Sequence, residues 1–143
     1  MAELSYTTTA TAWGGRIGRV ATSDGRLDYQ LSMPEGMGGE GGEGTNPEQL
    51  FACGYAACFH NALRSVARRA RVDVTDSAVS VTVTISGNAA DGVRLSITIE
   101  AEMPGVDSDT AELVLAAAHD RCPYSRALRG NHDLTVVLVP SVS

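Results

Sequence analysis

The sequence predicts an α+β fold, and three observations carry that prediction. Residues 79–86 and 93–100 alternate apolar and polar side chains with the period of two that a half-buried strand requires. Ahead of them, Leu50 to Phe59 gives ten successive uncharged residues behind a helix-start signal, too apolar for an exposed helix. A second helical stretch and one more apolar strand follow, so the order is βββαββαβ, with no internal repeat. The 143 residues, 43% hydrophobic and 20% charged, read as one domain spanning 1–143. Six strands in antiparallel-rich sheets and two main helices are expected.

Each element has its own local reason. Residues 6–13 are rich in β-formers, Gly14-Gly15 interrupts them, and an extended pattern resumes from Arg16 to Thr22. Asp24-Gly25 predicts a tight hairpin turn because both residues tolerate positive φ, and residues 27–32 alternate as a third strand. Residues 34–44 hold six of the 15 glycines. A phosphate cradle is excluded there: no Gly-Lys-Ser/Thr ends the run, and Glu35, Glu40 and Glu43 repel an anion. The run reads as a flexible surface loop or lid. Thr45 and Glu48 have capping-box spacing, and Pro47 sits in a first turn where its missing N–H costs nothing. The helix is expected to reach about Arg69, buried nearly all round in its first half, with Arg64, Arg68, Arg69 and Arg71 facing solvent in its second. The two alternating strands form a hairpin, and Asp107-Ser-Asp-Thr110 opens the second helix. Cys122 ends it, since Pro123 disfavours a helical residue before it. Residues 134–139 supply the last strand.

Charge and composition exclude several function classes. A net charge of −6 offers no basic footprint for nucleic acid. All 11 cations are Arg, so Schiff-base and phosphate-loop lysine chemistry are absent. No basic-then-apolar leader opens the chain and no run approaches a membrane span, which predicts a cytoplasmic protein with no membrane partner. Three cysteines without a secretory signal suggest a reducing compartment and a working thiol.

Cys58 lies inside the apolar helix and Cys122 at the end of the second helix. Both fit small core residues, because free Cys is among the most buried types. They also suggest a metal centre, since Cys58-Phe-His60 and His119-Asp-Arg-Cys122 offer two Cys and two His. Yet Cys58 and His60 stand about 200° apart around a helix, which defeats a four-ligand cage, so no metal is expected. No Gly-x-Ser-x-Gly elbow supports a serine hydrolase.

The segments Thr45-Asn-Pro-Glu-Gln-Leu-Phe-Ala-Cys-Gly-Tyr-Ala-Ala-Cys-Phe59 and Cys122-Pro-Tyr-Ser-Arg-Ala-Leu-Arg-Gly-Asn131 resemble the two signature segments of the organic hydroperoxide resistance proteins, a branch of the OsmC-like superfamily. Gly14-Gly15-Arg16, the Asp24-Gly25 turn, the glycine loop and the final strand fall in the same order. The resemblance implies an OsmC-like fold and a thiol-dependent peroxidase that reduces organic hydroperoxides to alcohols. Cys58 would be the peroxidatic cysteine, Cys122 the resolving cysteine, and Arg16 with Glu48 the polar pair beside the thiol. It further implies an intrachain Cys58–Cys122 disulfide and a dithiol reductant, a dihydrolipoyl group on a partner protein, with no bound cofactor. An unperturbed thiol is only a few per cent ionised at neutral pH, and burial worsens this. A fixed guanidinium reverses the balance, and a carboxylate orients the guanidinium. Leu50, Phe51, Tyr55 and Phe59, with Met33 and Met37 in the adjoining loop, are the expected apolar substrate pocket. Cys53 and Trp13 depart from the family pattern. Cys53, about 140° from Cys58 around the helix, reads as a small core residue.

Two other classes stay open: an osmotically induced OsmC-type thiol protein, and a redox-sensing or ligand-binding module without turnover. The sequence also points to a homodimer. Glu48 and Cys58 are ten residues apart, about 15 Å and 280° along a straight helix, beyond the reach of one Glu side chain. The apolar helix needs more cover than one six-stranded sheet gives. The resemblance implies an intertwined dimer whose sites each take Cys58 and Cys122 from one chain and Arg16 and Glu48 from the other.

Overall fold

In the computed structural model, residues 3–130 and 133–140 are described; Met1, Ala2 and Asn131, the last residue of the second resembling segment, lie outside them. The chain forms two units, the first ending at Leu50 and the second beginning at Phe51.

In the first unit, β1 (Ala10–Trp13), β2 (Arg19–Thr22) and β3 (Asp28–Gln30) form an antiparallel sheet in that order. The Asp24-Gly25 turn takes the expected form. Gly25 has φ 76, its N–H donates to the Thr22 carbonyl, and the Asp24 carboxylate accepts from the Arg26 N–H. Arg16 leaves the extended pattern predicted for it. Residues Gly15–Ile17 form a 3-10 turn, entered through Gly14 at φ 78, so the second strand starts three residues later than its composition suggests. The glycine loop is folded back on itself, with the Gly39 and Gly41 N–H groups donating to Pro34 and Met33 carbonyls. Its glycines permit that closeness: a Cβ on Gly39 would lie 2.3 Å from the Met33 carbonyl oxygen.

Helix α1 (Pro47–Ala70) has Pro47 at its first position. Its cap is one residue later than the Thr45 box predicts: Asn46 Oδ1 accepts from the Gln49 N–H at 2.8 Å, and Glu48 is engaged elsewhere. The buried stripe Tyr55, Phe59, Ala62, Leu63 and Ala67 follows helical spacing. The expectation of burial nearly all round does not hold within one chain, because Cys53 and Ala57 are exposed. Cys53 is therefore a surface residue here, contrary to the core reading.

The second unit's sheet is β4 (Ala78–Asn88), β5 (Gly92–Glu102) and β6 (Leu134–Leu138), with β5 central. β4 and β5 pair antiparallel from Ala78↔Glu102 to Asn88↔Gly92, and β6 joins β5 in parallel. The six strands thus divide into two three-stranded sheets, where a single six-stranded sheet was one expectation. Alternation puts Ile97, Ile99, Ala101 and Met103 on one buried face. They share a core with the α1 stripe and with Ala111, Val114, Leu115 and Ala118 of α2 (Ser108–Arg121). Asp107 caps α2 through the Thr110 N–H. Beyond Cys122 the chain re-enters a helix at once, α3 (Pro123–Ala127), a third helix beyond the two predicted. Among the described residues, no helix is long and apolar enough to cross a membrane.

Candidate active site

The polar half of the predicted site belongs to the first unit. Arg16 stands on the 3-10 turn, and Glu48 lies in the first turn of α1, where a carboxylate is favoured by the helix dipole. They meet as a two-pronged pair: Nη1 donates to Oε2 at 2.8 Å and Nη2 to Oε1 at 2.6 Å. The Arg16 hydrogen bonds outweigh partial burial and hold the Glu48 carboxyl below the usual carboxylate range. Trp13, at the entry to the same turn, lies under the Arg19 guanidinium at 5.0 Å, and Arg19 is itself paired with Asp28. Met33, Met37 and Leu50 of the expected pocket are half-buried.

The sulfur half belongs to the second unit. Cys58 and Cys122 are free thiols whose Sγ atoms are 3.8 Å apart, although 64 residues separate them in sequence. They are unequal. Cys58 is half-buried, while Cys122 is wholly enclosed. Burial pushes the Cys58 thiol up, the Tyr124 backbone N–H pulls it down, and the neighbouring Cys122 raises it again. That N–H is available because the first donors of a helix lack intrahelical acceptors, and Tyr124 is the second residue of α3.

Of the other pocket candidates, Phe51 is half-buried, whereas Tyr55 and Phe59 are fully enclosed in the core. The Tyr55 hydroxyl is hydrogen-bonded to Ser125 Oγ at 2.7 Å. Tyr124 was not singled out by sequence reasoning, yet its ring packs against Phe51 and Tyr55 at 6.3 and 5.4 Å. Its hydroxyl lies where a Cβ on Gly54 would come within 2.6 Å, so a glycine in mid-helix was the available signal. His60 is turned to Ser77 Oγ at 2.9 Å, and the His119 ring is stacked obliquely near Phe59 with its buried Nδ1 making no hydrogen bond. Among the described residues, no group of three or more His, Cys, Asp or Glu side chains is gathered to hold a metal.

Two thiols in contact, one reachable and one enclosed, suit a sequential oxidation in which the reachable sulfur reacts first. A family profile described as OsmC-like protein matches residues 39–137. The chain is 44% identical over 141 residues to an organic hydroperoxide resistance protein of Xanthomonas axonopodis pv. citri, covering 95% of this chain and 96% of that one. It is 41% identical to the organic hydroperoxide resistance protein OhrB of Bacillus subtilis over 93% of this chain and 97% of that one. The crystal structure of an organic hydroperoxide resistance protein from Legionella pneumophila superposes with a TM-score of 0.89 at 43% identity, covering 96% of this chain and 100% of that one. The chain belongs to the OsmC-like family and, within it, to the organic hydroperoxide resistance proteins.

Proposed function

We propose that this protein is a thiol-dependent peroxidase that reduces organic hydroperoxides to alcohols and so protects against oxidative stress. The observation that carries the reading is the 3.8 Å contact between the half-buried Cys58 thiol and the enclosed Cys122 thiol. The names of the relatives, organic hydroperoxide resistance proteins, point to the same substrate class.

In the proposed cycle the Cys58 thiolate attacks the distal peroxide oxygen and the O–O bond breaks. The alkoxide leaves as alcohol after taking a proton, and Cys58 becomes a sulfenic acid. The Cys122 sulfur then attacks the Cys58 sulfur, and water departs with the sulfenic oxygen and the thiol proton. The sulfurs must approach by roughly 2 Å to form that bond. A dithiol, for which a dihydrolipoyl group on a partner protein is the candidate, resets the disulfide by exchange. All electrons come from thiols, so the cycle needs no bound cofactor, and a reducing cytoplasm suits it.

The thiolate needs a cation that overcomes burial. The Arg16–Glu48 pair has the required form, and in this proposal a second copy of the chain supplies it in a homodimer. Two features support association. The first unit leaves Trp13, Ile17, Leu27 and Tyr29 exposed and, among its described residues, buries few apolar ones, Ala21 and Leu31. The uncharged half of α1 also leaves Cys53 and Ala57 uncovered.

One equivalent of cumene hydroperoxide followed by peptide mapping tests the assignment. It should yield a Cys58–Cys122 disulfide, and Cys58→Ser should abolish turnover in the presence of a dithiol. A disulfide to Cys53, or an active Cys58→Ser protein, overturns it. Oxidation without dithiol-dependent turnover would make the chain a sensor instead.

A further inference from the structure

Tyr55 and Ser125 form a polar crosslink inside an otherwise apolar core, and its placement relative to the thiols is regular. Tyr55 precedes Cys58 by three residues on α1, and Ser125 follows Cys122 by three at α3. Residues three apart on a helix share a face, so Tyr55 and Cys58 reach towards the same neighbouring segment. The same two segments are thus tied twice, by the hydroxyl pair at 2.7 Å and by the thiol contact at 3.8 Å. Both hydroxyl-bearing residues are enclosed, Tyr55 at 0% and Ser125 at 2% exposure. Buried hydroxyls are costly unless they satisfy a partner, and an apolar pair of similar shape would give the core equal cohesion. Direction is what the hydrogen bond adds.

We propose that Tyr55 and Ser125 are positioning residues for disulfide closure: their hydrogen bond holds the first turn of α3 on α1, so that Cys122 meets Cys58 as soon as Cys58 is oxidised. The inference rests on the peroxidase reading above. Cys122 is held from its amino-terminal side by its N–H bond to the Ala118 carbonyl, at 2.8 Å. On its carboxy-terminal side, the Arg126 N–H donates to the Cys122 carbonyl at 2.9 Å, which makes Cys122 and the first turn of α3 one piece. That piece is oriented on α1 by the Ser125 hydroxyl and by the Tyr124 ring against Phe51 and Tyr55. A sulfenic acid that is not met promptly is exposed to a second peroxide, which takes it to sulfinic acid. The hydrogen bond therefore sets the partition between a reversible disulfide and an irreversible loss.

The test oxidises reduced protein with cumene hydroperoxide, quenches at intervals with dimedone, and follows sulfenic, disulfide and sulfinic forms by intact mass. Ser125→Ala should slow closure about tenfold, as expected for one lost buried hydrogen bond, while Cys58 is oxidised at the wild-type rate. More sulfinic acid should accumulate in excess peroxide. Tyr55→Phe, which keeps the ring, should slow closure equally, and the double variant should be no slower than either single one because the bond is shared. Tyr55→Phe alone is the deciding variant should Ser125→Ala melt. Closure at the wild-type rate in both single variants, equal slowing of oxidation and closure, or multiplicative effects in the double variant overturns the proposal. Wild-type protein that forms neither sulfenic acid nor disulfide removes the peroxidase reading, and this inference with it.

Discussion

Gly18→Ala is the substitution whose cost follows most directly from the geometry. A Cβ on Gly18 would lie 1.7 Å from the Trp13 carbonyl oxygen and 2.8 Å from the Gly14 Cα. A methyl group there must retreat by roughly 1.5 Å to reach ordinary contact. Gly18 is not free to retreat, because its carbonyl accepts both the Leu31 N–H and the Gln30 side-chain amide at 2.8 Å. Losing both bonds costs about 2 kcal/mol and residual overpacking about 1 kcal/mol more, so the total is about 3 kcal/mol. For a chain of this length that lowers the melting temperature by roughly 10 °C. Activity should suffer beyond stability. Arg16 rides on the displaced turn, and its two-pronged contact with Glu48, at 2.6 and 2.8 Å, survives only small shifts. Thermal unfolding by circular dichroism gives the first quantity; turnover of cumene hydroperoxide with a dithiol, measured well below the variant's melting point, gives the second. A Gly18→Ala protein with wild-type melting and turnover refutes the reasoning, since the turn would then not need its closed form.

Glu48→Gln bears on stability through pH. Because Arg16 holds the Glu48 carboxyl below its ordinary 4.5, the pair stabilises the fold above about pH 4.5, and that contribution disappears as the pH falls through the depressed value. The melting difference between wild type and Glu48→Gln, about 1 kcal/mol for such a partly exposed pair, should therefore be constant near neutrality and vanish in acid; a difference that grows on acidification contradicts the assignment. The Cys58→Ser and Arg16→Ala proteins should each be inactive, and mixing them should restore activity if, as proposed, sites are shared between the chains of a dimer, whereas an inactive mixture means that each chain carries its own site. Bulky apolar hydroperoxides should be reduced faster than hydrogen peroxide, each buried methylene adding about 0.8 kcal/mol, and equal kcat/KM values for the two classes would remove the apolar pocket. Cys53→Ser should leave turnover intact, as monitored in the same dithiol-coupled assay, because Cys53 is exposed and lies about 140° from Cys58 around α1.

Local signals were legible in the residues themselves; of the long-range partnerships, only Arg16 with Glu48 and Cys58 with Cys122 were expected, and those from the resemblance. The alternation of residues 79–86 and 93–100 became the β4–β5 ladder, and the Asp24-Gly25 turn formed as predicted, because both depend on neighbours in sequence. That β5 takes β6 in parallel, leaving two sheets of three strands, is a long-range choice with no local trace. Pro123 was readable as a stop for α2, but the same residue is also a favoured first residue of a helix, and that second use hid α3. The Arg16 turn was concealed by flanking β-formers. Glu48 fitted a cap by spacing, yet a guanidinium 32 positions away claimed it, and Asn46 capped the helix instead. The two cysteine segments stood out as words in the sequence; the crosslink between Tyr55 and Ser125 did not, because two hydroxyls 70 residues apart carry no shared pattern.

The 64-residue interval between the two cysteines has a consequence for synthesis. At translation speeds of about 5–20 residues per second, Cys58 leaves the ribosome several seconds before Cys122 does. Throughout that interval the thiol nearest along the chain is Cys53, and a bond between those two would be a dead end. A 24-residue α1 is long enough to start coiling unaided, within microseconds, far ahead of any thiol chemistry. Coiling turns the two sulfurs to different sides of the rod. The nascent chain is thus guarded against its own wrong partner by secondary structure alone, before any tertiary contact has formed.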